Sequence, residues 1–71
     1  RPGAAAYARV CAACHGASGE GGEGPAFTRG LDPGAVAFVV RNGLGRMPPA
    51  ADRLTPAEID AVARYVAGLR R

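Results

Sequence analysis

Cys11-Ala12-Ala13-Cys14-His15 is the stretch on which the reading of this chain turns. C-x-x-C-H is the attachment sequence for c-type haem. Two thiols three residues apart on one helical turn can add to the vinyl groups of adjacent pyrrole rings, and the histidine that follows lands beneath the iron as proximal ligand. Small side chains at 12 and 13 let the backbone lie close to the porphyrin edge. Other readings compete. A thioredoxin-like redox pair follows a strand in a βαβ setting, and no strand pattern precedes Cys11. A structural zinc site takes four protein ligands, usually Cys or His, against the two Cys and one His present. A structural disulfide and a chance match of five residues stay open on the motif alone.

An iron held by His15 needs a sixth ligand if it is to pass electrons without binding a substrate, and a thioether is the usual soft choice. The chain has one methionine, Met47, within Asn42-Gly43-Leu44-Gly45-Arg46-Met47-Pro48. A lone Met is often core filler, but its place on a glycine-flanked loop, stiffened by Pro48, reads as a positioned ligand.

Around these residues the pattern is helical. Residues 3 to 13 are rich in alanine, with Gly3, Tyr7, Val10 and Cys14 recurring at three- or four-residue spacing, which predicts a first helix. Residues 16 to 30 hold six glycines and one proline without an apolar period, a loop long enough to wrap something. Asp32-Pro33 before Val36, Val39 and Val40 reads as N-cap, N1 proline and apolar stripe, ending at Asn42-Gly43. Residues 44 to 54 form a second loop that the Pro48-Pro49 pair keeps extended. Thr55-Pro56-Ala57-Glu58 is a capping box, with Leu54 and Ile59 as hydrophobic staple. Ile59, Val62, Val66 and Leu69 make one stripe of an amphipathic helix, with Asp60 and Arg64 as an i,i+4 pair and Arg70 and Arg71 at its C-terminal end.

Composition limits what such a chain can be. Of 71 residues 48% are hydrophobic, yet 16 of them are alanine, so the core is thin and a staple such as a cofactor is expected. The longest apolar run, Ala35 to Val40, is six residues, far short of the roughly 20 that a membrane helix needs. No basic n-region precedes an apolar h-region, so a secretory signal is either absent or already removed, and the abrupt start suggests a processed mature protein or a domain cut from a longer polypeptide. All nine basic residues are Arg, the net charge is +3 and the excess lies in the second half. Such a weakly basic face can steer an acidic partner, but it lacks the dense clustering with interleaved aromatics that nucleic-acid binding asks for. Gly19-Glu20-Gly21-Gly22-Glu23-Gly24 matches the dinucleotide fingerprint G-x-G-x-x-G. It follows no strand, opens no helix, and carries two carboxylates that would repel a pyrophosphate.

Taken together, the motifs resemble class I cytochrome c over nearly the whole chain, and look closest to its short bacterial forms. Gly3, Tyr7, Cys11, Cys14 and His15 look like that family's N-terminal helix, Gly24-Pro25-Ala26-Phe27 resembles its Gly-Pro-x-Leu segment with Phe in place of Leu, and the 42–48 segment is similar to its distal ligand loop. The resemblance implies an all-α fold of three main helices and loops wrapped around one covalent haem c, with the N- and C-terminal helices crossing where Gly3 and Tyr7 meet the neighbourhood of Tyr65. It implies that residues 1–71 are a single mono-haem domain, with thioethers at Cys11 and Cys14 and iron ligands His15 and Met47. The Pro25 carbonyl would accept the His15 Nδ1 proton. Phe27, Leu31, Phe38, Val39 and Leu44 would line the haem pocket, and Arg41 and Arg46 are the nearest cations for the propionates, unless they are simply solvated.

The function implied is one-electron transfer between redox protein partners, such as an oxidase, reductase or dehydrogenase domain, by a monomeric domain that catalyses no bond chemistry itself. A rim of Ala12, Ala13, Ala26, Leu44, Pro48 and Ala50 would surround the exposed haem edge. The alternative is a haem-based small-ligand sensor or peroxidase-like site with a displaceable Met47, against which stands the lack of a second His as distal acid-base group. Haem attachment outside the cytoplasm implies a periplasmic or extracytoplasmic location in a respiratory chain, with or without a membrane tether through a parent protein.

Overall fold

A computed structural model describes residues 2–27 and 30–69. Four helices follow one another: α1 (Ala4–Val10), α2 (Ala12–His15), α3 (Pro33–Asn42) and α4 (Pro56–Gly68). The expected N-terminal helix is therefore broken. At Cys11 the dihedrals are φ −107° and ψ −32°, one residue outside the helical register, after which α2 carries the chain on to His15. The break re-aims the second half of the motif, and the helical bonds resume from the Cys11 carbonyl, which accepts from the N–H groups of Cys14 and His15 at 3.3 and 3.1 Å.

The later helices begin where their caps place them. Asp32 accepts from the Ala35 N–H at 2.9 Å ahead of Pro33. Thr55 and Glu58 exchange both bonds of the capping box, at 2.9 and 3.1 Å, so two donors that no helical carbonyl can reach are satisfied. These caps decide the Val-rich stretch of α3 in favour of helix over strand. Asp60 and Arg64 are both exposed and do not pair with one another; α4 instead reaches α1 through Arg9 and Glu58, 3.1 Å apart. Arg70 and Arg71, expected at the end of this helix, lie outside the described residues.

The core gathers Ala6, Tyr7 and Cys11 from the N-terminal segment, Ala37 and Val40 from α3, Ala50 and Leu54 from the second loop, and Ile59, Val62, Ala63 and Val66 from α4. Leu69, the predicted last member of the α4 stripe, caps the helix and is only half-buried. The α1–α4 crossing is made by backbone. Gly3 has φ +87°, and a Cβ on it would run into the carbonyl oxygen of Ala61. Behind it the Tyr7 and Tyr65 rings lie 5.3 Å apart. Among the described residues no helix is long and apolar enough to cross a membrane.

Candidate functional site

His15 closes α2, and its ring is held from several directions. Nδ1 lies 2.9 Å from the Pro25 carbonyl oxygen. Because a carbonyl only accepts, Nδ1 carries the proton and Nε2 keeps its lone pair for a metal. Gly24 stands at the ring's edge, where a Cβ would come within 2.9 Å of Cε1 and 3.1 Å of Nδ1. Phe27 stacks on the imidazole, with centroids 4.5 Å apart and planes 23° apart.

The glycine-rich loop reaches His15 because backbone bonds tie it to the motif. Gly24 N–H donates to the Cys14 carbonyl and Gly21 N–H to the His15 carbonyl, each at 2.8 Å, while Phe27 N–H donates to Gly19 at 2.9 Å. The loop thus wraps the motif itself. Tyr7 anchors its start, its hydroxyl donating to the Gly16 carbonyl at 2.6 Å. Burial of that ring raises the phenol above its ordinary range, and the neighbouring Cys11 and Glu20 add to the effect.

The two cysteines share the same turn as free thiols. Cys11 is 8% exposed and belongs to the core. Burial pushes its thiol up, the Arg53 guanidinium opposes this, and Cys14 reinforces it, so Cys11 stays protonated at neutral pH. Cys14 is exposed, with Sγ 3.8 Å from Glu23 Oε1.

Met47 lies half-buried at the margin of the core. Leu44 and Met47 exchange both backbone bonds, at 3.0 and 2.9 Å, across the two-residue turn Gly45-Arg46. The second loop therefore holds a tight turn where simple extension was expected. Leu31 and Val39 are half-buried, whereas Phe38 and Leu44 are 62% and 69% exposed, the large hydrophobic side chains that the described fold leaves uncovered. Arg41 and Arg46 are exposed. Of the expected rim, Ala13, Ala26, Leu44 and Pro48 are exposed and Ala12 is half-buried. Ala50 is not part of it: it is 2% exposed and its N–H donates to the Val40 carbonyl at 2.8 Å.

Two free thiols on one turn, an imidazole with its Nδ1 already satisfied, a thioether on a braced turn and uncovered apolar side chains form a donor set and a surface that fit a haem c. Sequence reasoning missed the electrostatic influence of Arg53 on Cys11, which depends on the fold and has no local signal. The expected place of Phe27 on the pocket wall is joined by a contact the sequence did not show, the stacking of its ring on His15.

Comparison with known proteins identifies the family and the fold. Residues 1–66 match the family described as cytochrome C oxidase, cbb3-type, subunit III. Cytochrome c6 of Bryopsis maxima is 41% identical over 75 residues, which span 90% of this chain and 84% of that protein. The crystal structure of cytochrome c6C from Synechococcus sp. PCC 7002 superposes with a TM-score of 0.79 at 30% identity, covering 92% of this chain and 89% of that one. The dihydro-haem d1 dehydrogenase NirN superposes with a TM-score of 0.85 at 34% identity, over 94% of this chain but only 16% of NirN. By family and by fold the chain belongs to the cytochrome C oxidase, cbb3-type, subunit III family, as a class I cytochrome c that transfers electrons through covalently bound haem c and is not itself an enzyme.

Proposed function

We propose that residues 1–71 form one mono-haem domain that shuttles single electrons between redox proteins, with the haem joined to Cys11 and Cys14 and its iron held between His15 and Met47. The observation that carries this reading is the Pro25 carbonyl on His15 Nδ1, at 2.9 Å. That bond selects the tautomer in which Nε2 is the donor, steers the ring, and makes the imidazole a stronger base toward a metal.

When bound, the haem supplies a centre that gains and loses one electron with little change of shape. The chain's residues supply the rest. Cys11 and Cys14 would hold the group by two thioethers, each S–H adding across a vinyl group, sulfur to one carbon and hydrogen to the other, with no external oxidant or reductant. Met47, a soft ligand on a turn braced by two backbone bonds, raises the potential relative to a second histidine. Phe27, Leu31, Phe38, Val39 and Leu44 exclude water, and Arg41 and Arg46 are the cations offered to the propionates. Ala13, Ala26, Leu44 and Pro48 form a rim of small or apolar residues through which a partner approaches.

The partners are an oxidase, reductase or dehydrogenase, free or fused to this domain. The family description, a subunit of a cytochrome oxidase, and the likeness to a small part of NirN support that class. The location is periplasmic or otherwise extracytoplasmic, as haem attachment of this kind requires, with any membrane tether supplied by a parent protein.

The test is an absorption spectrum of the holoprotein in both redox states, with carbon monoxide added to the reduced form. The weak near-infrared band of Met-ligated ferric haem together with indifference to carbon monoxide is the expected result. No band and ready carbon monoxide binding would overturn Met47 ligation and favour a small-ligand sensor or peroxidase-like site.

A further inference from the structure

The hydrogen bond to Pro25 leaves one freedom of His15 unexplained. Hydrogen bonds tolerate wide angles before they weaken, so a single Nδ1–H···O contact steers the imidazole but lets it rock about its own long axis. A flat group on the ring's face removes that freedom, because rocking drives the imidazole into it. Phe27 is such a group, with centroids 4.5 Å apart and planes 23° apart.

Phe27 is itself fixed. Its N–H is bonded to Gly19 at 2.9 Å. Its ring lies so close to Gly19 that a Cβ there would come within 2.7 Å of Cδ2. The Tyr7 ring meets it edge-on at 6.2 Å and 62°. Tyr7 in turn is 1% exposed and hydrogen-bonded to Gly16. A continuous line of packed rings thus runs from Tyr65 through Tyr7 and Phe27 to His15.

We propose that Phe27 is a positioning residue for the electron-transfer centre, setting the rotational angle of the His15 imidazole by stacking on its face while Pro25 holds its Nδ1. The inference rests on the reading of His15 as an iron ligand. The angle of an axial imidazole decides how the unpaired spin of the ferric state is shared among the pyrrole rings, so it is read directly in the hyperfine-shifted haem-methyl resonances. A leucine has no flat face and cannot supply this restraint; a tyrosine can.

The experiment is proton NMR of the ferric holoprotein for the unmodified chain, Phe27→Leu and Phe27→Tyr, with far-ultraviolet circular dichroism as the check on folding. Phe27→Leu is expected to change the spread and order of the haem-methyl resonances at unchanged helicity, and Phe27→Tyr to restore the original pattern. An unaltered pattern in Phe27→Leu, or an equal change in Phe27→Tyr, overturns the proposal. Should Phe27→Leu fail to fold, the unmodified protein decides: shifts linear in inverse temperature mark one fixed ring angle and support the proposal, and strongly curved shifts mark a rocking ring and overturn it. His15 ring protons at ordinary diamagnetic positions in the unmodified protein would instead sink His15 ligation itself, a result distinct from any behaviour of Phe27.

Discussion

Replacing Gly3 by alanine tests the helix crossing on which the fold is built. Two costs add. An L-residue held at φ +87° gives up about 1–2 kcal/mol, and a methyl forced onto the Ala61 carbonyl oxygen costs about 1–3 kcal/mol because backbone, unlike a flexible side-chain end, has little room to yield. The sum, roughly 2–5 kcal/mol, is a large part of the ~4–10 kcal/mol expected for a chain of this size. At about 4–8 °C per kcal/mol, the midpoint of thermal unfolding should fall by about 20 °C. Gly30 provides the control. It has φ +79° with nothing within 4 Å of where a Cβ would sit, so Gly30→Ala carries the conformational cost without the collision. It should lower the midpoint by roughly 4–16 °C. The assay is thermal unfolding of the holoproteins by circular dichroism, with the visible spectrum confirming an intact haem site. Equal losses for Gly3→Ala and Gly30→Ala would refute the claim that backbone contact at Ala61 sets the crossing.

Other perturbations probe other parts of the argument. A Cys11→Ser, Cys14→Ser chain without haem should lose cooperative unfolding by circular dichroism, since the loop that a His15–Met47 bridge closes is by itself worth about 3.7 kcal/mol of unfolded-state entropy; a sharp, helical transition would contradict it. Met47→Ala should abolish the near-infrared band and open the reduced iron to carbon monoxide, as read by absorption spectroscopy. Glu58 is held below the ordinary carboxylate value of 4.5 by the Thr55 N–H and by Arg9, so its contribution is present above that value and disappears as pH falls through the lowered folded value; Glu58→Gln should flatten the acid limb of a stability–pH curve. Ala13→Glu, a carboxylate on the exposed rim, should slow electron exchange with a protein partner in stopped-flow mixing while leaving the reduction potential nearly unchanged.

What could be read in the sequence was what is local. Asp32-Pro33 and Thr55-Pro56-Ala57-Glu58 announced α3 and α4 because a cap is satisfied within one turn. The spacing of Cys11, Cys14 and His15 likewise fixes its geometry within a few residues. The break at Cys11 was not legible, since alanine-rich sequence on both sides favours an unbroken helix and only the packing of Cys11 into the core opposes it. The Arg9–Glu58 contact in place of Asp60–Arg64 depends on how α1 meets α4, which spacing along one helix cannot reveal. Ala50 was expected on the rim of the haem edge, yet its N–H bonds the Val40 carbonyl and it is buried, a contact that only the fold brings about. For His15, Gly24-Pro25 gave the hydrogen bond through resemblance, but the stacked ring behind it required the fold.

The unequal burial of the two cysteines bears on how the protein is made. Cys14 is open to solvent, whereas Cys11 belongs to the buried cluster that also holds Tyr7, Leu54 and the inward side chains of α4. If the proposed attachment holds, Cys14 can be reached in the open or the closed chain, whereas the reaction of Cys11 needs the chain still open. That fits a chain with no cooperative fold of its own before it holds its haem, in which joining the cofactor and closing the helices become parts of one event.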